Sequence, residues 1–306
     1  MSILVVGSVA LDSVETPFGR GDDVLGGSAT YFSTSASFFT DINLVGVVGQ
    51  DFPKEHIDFL ESRGVDLTGL VREPGETFRW KGRYNYDLNE AQTLDTRLNV
   101  FETFQPKIPA AYAESEFLFL ANIAPELQLD VLNQVKNPKL IALDTMNYWI
   151  STKLDALKQV IPKVDILIIN EGEARQMTQE SNLVRAAGKI LDLGVDTIII
   201  KRGEYGVIMF SQSSTFAAPG FPLGDVIDPT GAGDTFAGGF MGCIARSGDT
   251  TDNGIRQAII FGSVMASFNV EDISLNRMRT LKPDEIEKRF YSFKALTHFD
   301  HMIPHL

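Results

Sequence analysis

Short apolar runs rich in β-branched residues recur along the chain at residues 3–6, 43–48, 117–120, 140–143, 166–169 and 197–200. Each has the length of a strand and lacks polar alternation, as expected where both faces of a sheet are covered. Between them apolar positions return at helical spacing, over 54–63, 128–135, 154–161 and 183–193. This alternation predicts an α/β fold: a doubly wound, mostly parallel sheet with helices on both faces. No internal repeat or low-complexity linker interrupts it, so a single domain over residues 1–306 is expected.

One stretch breaks the rhythm. From residue 78 to 86 the period is two, with Phe78, Trp80, Tyr84 and Tyr86 on one face, Gly82 among them, and Arg79, Lys81, Arg83 and Asn85 on the other. After the turn-prone Asp87-Leu88-Asn89-Glu90, a second alternation sets Leu94, Thr96, Leu98 and Val100 on one face. That predicts a hairpin, which is marginal alone and must pack its aromatic face on something. Residues 10–20, after the first run, are expected to add the strand or strands that turn it into a small sheet.

Composition narrows the partners. The 306 residues carry a net charge of −13, which argues against nucleic acid or an anionic membrane. The lone cysteine, Cys243, cannot form an intrachain disulfide, no charged-then-apolar leader is seen at Met1, and the longest apolar runs are too short to cross a bilayer. A cytoplasmic protein is expected.

The densest chemistry lies in Asp228-Pro229-Thr230-Gly231-Ala232-Gly233-Asp234-Thr235. Residues with little or no side chain let successive backbone N–H groups converge on an anion, and a helix starting there adds unpaired donors at the positive end of its dipole. Asp234 at that mouth would repel a resident phosphate, so its useful role is to accept a proton from an attacking hydroxyl. Read alone, the same run is first of all a tight turn with Asp234 as helix N-cap, and the residues that follow it shift the balance. The glycines that follow, Gly238, Gly239 and Gly242, weaken a helix by about 1 kcal/mol each relative to Ala, so close approach to the sheet or to a nucleotide is expected to compensate. Three further motifs follow strands. Gly7-Ser8-Val9-Ala10-Leu11-Asp12 places Asp12 near the carboxyl edge of the sheet, where it can accept hydrogen bonds from vicinal hydroxyls. Asn170-Glu171-Gly172-Glu173 reads locally as a capping box. In Lys201-Arg202-Gly203-Glu204-Tyr205-Gly206, read as a hairpin turn, Lys201 is a point charge within reach of phosphates. Asp144-Thr145-Met146-Asn147 also lies at the carboxyl edge, with its role open. Gly46-Val47-Val48-Gly49 lacks the spacing of a dinucleotide fingerprint.

Residues 228–240 closely resemble the C-terminal signature of the ribokinase-like (PfkB) sugar and nucleoside kinases, and the other motifs follow in that family's order. The resemblance implies that Gly231, Ala232 and Gly233 form an anion hole with Asp234 as general base, and that the small sheet, built from about 10–20 and 77–101, is a lid over the acceptor and a homodimer contact. It implies Asp12, Gly26, Gly27 and the position of Tyr31 as acceptor contacts; the family usually has Asn where this chain has Tyr31. It implies that Asn170, Lys201, Gly203 and Gly206 face ATP, with Glu173 reaching Mg2+ through water and K+ near Asp228 and Thr230. The apolar stretch 258–269 leaves room for adenine beside Ala258, Gly262, Ser263 and Ala266, or packs in the core, with Asn269 a further nucleotide candidate. The expected activity is ATP-dependent phosphorylation of a hydroxymethyl group on a small sugar. A nucleoside of the adenosine type is the alternative acceptor, then a phosphorylated sugar met by Arg79, Lys81 and Arg83; a catalytically silent sugar- or nucleotide-binding relative is the non-enzymatic alternative.

Overall fold

The computed structural model of the chain describes residues 1–296 and His298. The strands, in chain order, are β1 Ser2–Val6, β2 Ala10–Thr16, β3 Gly19–Gly26, β4 Asp41–Val48, β5 Val65–Arg72, β6 Phe78–Tyr84 and β7 Ala91–Arg97. They continue with β8 Phe117–Leu120, β9 Leu140–Asp144, β10 Ile166–Asn170, β11 Thr197–Lys201, β12 Val207–Ser211 and β13 Thr215–Ala218. One sheet has the order β13-β12-β11-β10-β9-β8-β1-β4-β5, parallel except for β12 and β13. Its successive strands run outward in both directions from the β1/β8 pair, so the carboxyl ends of β1 and β8 flank the switch point where open α/β sheets take their ligands.

The apolar runs form strands because both sides are covered. Ile3 and Val5 enter one core with the helices Ser28–Ala36, Ala232–Ser247 and Asp252–Asn269, while Leu4 and Val6 enter a second on the opposite face. The expectation about the glycine-rich helix is corrected here. A side chain at Gly238 would overlap the Phe32 carbonyl, and one at Gly239 would come within 2.7 Å of Met265, so the close approach is to two neighbouring helices, not to the sheet or a nucleotide. Gly262 likewise accommodates Phe236, which gives the small residues of 258–269 a packing role.

The second sheet has the order β3-β2-β6-β7, with β2 and β6 parallel and the outer pairs antiparallel. It differs from the expected hairpin in three ways. Its first part reaches Gly26 instead of stopping near residue 20. A β-bulge at Leu94 brings Thr93 opposite Gly82, so the alternation Leu94, Thr96, Leu98, Val100 is broken, and Val100 is buried in a 3-10 turn beyond β7. Tyr86 lies past the end of β6 and is 82% exposed, edge-on to Phe18. On the other face Arg79 is paired with Asp23 and Asp51 and Arg83 with Glu15, so those cations are already neutralised.

Candidate active site

The helix Ala232–Ser247 begins at Gly231, whose φ of 72° is the left-handed conformation that glycine adopts without strain. The amides of Ala232 and Thr235 donate to the carbonyls of Pro229 and Gly231; those of Gly231 and Gly233 have no protein partner among the described residues, while that of Asp234 lies against its own carboxylate. The Gly231 and Gly233 amides are the donors a phosphoryl group would meet at the positive end of the helix. Two buried side chains hold the turn from behind. Asp228 accepts from the amides of Thr230 and Ser274, both at 2.9 Å. Asn269 donates to the Thr230 carbonyl at 2.8 Å and accepts from Thr235 Oγ1 at 3.2 Å. Asn269 is fully buried. It therefore braces the anion turn, which corrects its expected place against the nucleotide. Asp228 is committed in the same way, while Thr230 Oγ1 lies 3.4 Å from the Tyr84 hydroxyl of the small sheet.

Beside this turn three acids share one cation. Lys201, at the end of β11, donates to Asp144 Oδ2 at 3.3 Å, and its Nζ lies 2.8 Å from where a Cβ on Gly233 would stand. Burial lowers the lysine pKa, but Asp144, Glu173 and Asp234 together raise it above its ordinary value. Burial and the Asp144 charge push Asp234 up to about 7, against the pull of Lys201. Glu173 is pushed up to about 7 by burial and then by Asp144. Asp144, whose role the sequence left open, is thus central: it is raised by burial, restrained by Lys201, and its Oδ1 accepts from the Thr145 amide at 2.7 Å. Asn170 and Glu173 form the capping box in full, at 2.8 and 2.7 Å. Among the described residues no three His, Cys, Asp or Glu side chains sit close enough to bind a metal directly. An excess of carboxylate oxygens around one ammonium nevertheless suits a hydrated divalent cation.

At the end of the small sheet, Asp12 is buried and occupies the space that a side chain at Gly26 would need. Burial, then the Asp228 charge, raise its pKa to about 7, opposed by the Gly27 amide. Gly27, with a φ of 94°, caps the helix Ser28–Ala36 that carries Tyr31. The Tyr31 ring lies where a Gly231 side chain would be, so the helix that follows Gly27 and the turn at Gly231 are packed on each other through this pair. The Tyr31 hydroxyl is buried beside Ser274 without completing a hydrogen bond. Ser274 joins both halves, since its hydroxyl donates to the Leu25 carbonyl at 2.6 Å and its amide to Asp228. Nothing in the local sequence around Ser274 marked that role, because every partner is distant in the chain.

Gly203 opens a 3-10 turn with φ 55°, and the Asn89 side chain from the tip of the β6–β7 hairpin lies 2.8 Å from where its Cβ would stand. Gly206 faces the backbone of Ala218 and Pro219, so its lack of a side chain serves packing within the protein. A cavity of about 760 Å³, lined by Val47, Glu73, Asn99 and Phe104 among others, includes none of the residues of the cluster. No helix among the described residues is long and apolar enough to cross a membrane.

A helix start that offers free amides, a buried lysine and a carboxylate at its mouth, all at the carboxyl edge of a doubly wound sheet, make up the set of groups that phosphoryl transfer requires. The model of the pfkB family of carbohydrate kinases matches residues 21–280, and this chain belongs to that family. The chain is 31% identical over 252 residues to a cytidine kinase of Thermococcus kodakarensis, covering 80% of this chain and 89% of that protein. The nucleoside kinase of Methanocaldococcus jannaschii superposes with a TM-score of 0.75 at 21% identity, over 95% of this chain and 98% of that one. An E. coli structure described as a ribokinase II in complex with ATP and Mg2+ gives 0.77 at 20%, over 95% and 99%. The protein is a ribokinase-like kinase.

Proposed function

We propose that this kinase transfers the γ-phosphoryl group of ATP to the primary hydroxyl of a nucleoside, working as one domain with the small sheet as its lid. The observation that carries the nucleoside over the free sugar is the likeness to a cytidine kinase across most of both chains. In this reading Asp12 accepts hydrogen bonds from the vicinal hydroxyls of the ribose and leaves the hydroxymethyl group towards Asp234. Asp234, held near neutrality, takes the hydroxyl proton as the oxygen attacks, a better-matched base at pH 7 than an ordinary carboxylate. The amides of Gly231 and Gly233 and the Lys201 ammonium receive the charge on the transferred group. Mg2+, when bound with the nucleotide, neutralises phosphate charge; Asp144 and Glu173, the latter through water, are the residues that would hold it.

The family description keeps a small sugar as the second reading. Acceptor-dependent ADP release over cytidine, adenosine, ribose and hexoses separates the two. The account expects kcat/KM for a nucleoside to exceed that for any free sugar, and a sugar at the head of the ranking would overturn it. Thermal stabilisation by acceptors without any ADP release would instead identify a silent binder.

A further inference from the structure

The face of the small sheet that carries Asp12 also carries an indole held flat. Asp12 of β2 pairs with Trp80 of β6 in parallel register, so both side chains leave the sheet on the same side. Tyr84, further along that face, reaches Thr230, so the face looks towards the anion turn. Gly82 is buried, and a side chain there would overlap the six-membered ring of Trp80. The indole therefore lies along its own strand over Gly82. Its Nε1 donates to Thr93 Oγ1 at 3.2 Å. Thr93 stands opposite Gly82 only because β7 carries the extra residue Leu94. A glycine, a bulge and a threonine thus hold the ring in one orientation, with one face against the strand. Trp80 remains half-buried and stacks on no other ring among the described residues.

We propose that Trp80 is the stacking platform for the flat ring of the acceptor, a nucleobase, and so sets the preference for nucleosides over free sugars. A pentose offers Asp12 its hydroxyls but has no π face, whereas a nucleoside offers both. The inference rests on the acceptor-kinase reading above, yet it concerns recognition and can fail while the chemistry stands. Base–aromatic stacking in other proteins corresponds to roughly ten- to a hundredfold in affinity.

The 306-residue chain has two tryptophans, Trp80 and Trp149, so Trp149→Phe leaves Trp80 as the one indole reporter within it. Cytidine and adenosine are expected to quench that fluorescence saturably, and ribose is not. In kinetics, Trp80→Ala should raise the nucleoside KM ten- to a hundredfold with the KM for ATP unchanged. Trp80→Phe should recover most of the loss, and Gly82→Ala, which displaces the indole without removing it, should reproduce part of it. No quenching by either nucleoside, or a nucleoside KM equal in Trp80→Ala and the parent, would overturn the proposal. If no acceptor supports ADP release, the kinase reading falls, while the fluorescence titration still decides whether Trp80 stacks on a base.

Discussion

The start of the helix Ala232–Ser247 and the small sheet above it hold their functional groups in opposite ways. The turn is braced from inside by buried partners, with Asp228, Asn269 and the Tyr31 ring all behind it and its free amides in front. The small sheet is uneven: Leu11 of β2 and Leu25 of β3 enter the main core, whereas β7 is an exposed edge strand and the β6–β7 hairpin meets the main body at separate points, Tyr84 at Thr230 and Asn89 against Gly203. The first arrangement suits a site that must be in place before charge develops, since preorganised donors need no rearrangement at the moment of reaction. The second, in the hairpin of β6 and β7, is what a cover able to lift would need, because β7 is exposed along its whole length.

That contrast can be broken or sharpened by substitution. The largest effect is expected from Asp12→Ala, which leaves the acceptor hydroxyls unpaired in a closed site and should lower kcat/KM for the acceptor by about 10²–10⁴-fold, with the KM for ATP little changed. Next comes Gly231→Ala: a left-handed backbone and overlap with the Tyr31 ring should destabilise the fold by about 1–3 kcal/mol and lower turnover at least tenfold. Combining it with Tyr31→Ala removes the overlap but not the backbone strain, so partial recovery of the melting temperature is expected. Asn269→Ala leaves the Thr230 carbonyl and Thr235 hydroxyl without their partner and should cost about 1–3 kcal/mol in denaturant unfolding.

A smaller, distributed effect concerns pH. Asp12, Glu173 and Asp234 hold their protons up to about 7 in the folded chain, whereas in the unfolded chain they release them near 4. Between those values the native state binds more protons, so stability falls as pH rises towards 7. Carboxylates held low, such as Asp51 and Glu116, finish titrating below that window. The melting temperature of the ligand-free protein should therefore drop from pH 5 to 8. ATP with Mg2+, by bringing a cation to the acids, should flatten the slope. The smallest expected effect is in hydrogen exchange, where amides of β6 and β7 slow on binding acceptor while those of the braced helix do not change; equal slowing in both regions would remove the distinction between them.

How much of this could be read from sequence follows the same division. The strands of the large sheet were legible wherever both faces are covered, because burial on two sides selects an unbroken apolar run. β5 and β13 were missed: both are edge strands, and β5 carries Asp66 and Thr68 within it. The anion turn was legible because its glycines and Asp234 are contiguous. Asn269, Ser274 and the pairing of Trp80 with Thr93 were not, since each acts on residues remote in the chain or through a bulge that a strict period of two cannot show.

The central claim is that Asp234 removes the acceptor proton at a turn already built to receive the phosphoryl group. Single-turnover transfer from saturating ATP and Mg2+, in the parent and in Asp234→Asn, tests it most directly, because the substitution keeps the size of the side chain and removes its basicity. The account predicts a transfer rate lower by about 10²–10⁴-fold with nucleotide affinity within a fewfold of the parent. A near-normal transfer rate would contradict it, as would a loss explained wholly by weaker nucleotide binding.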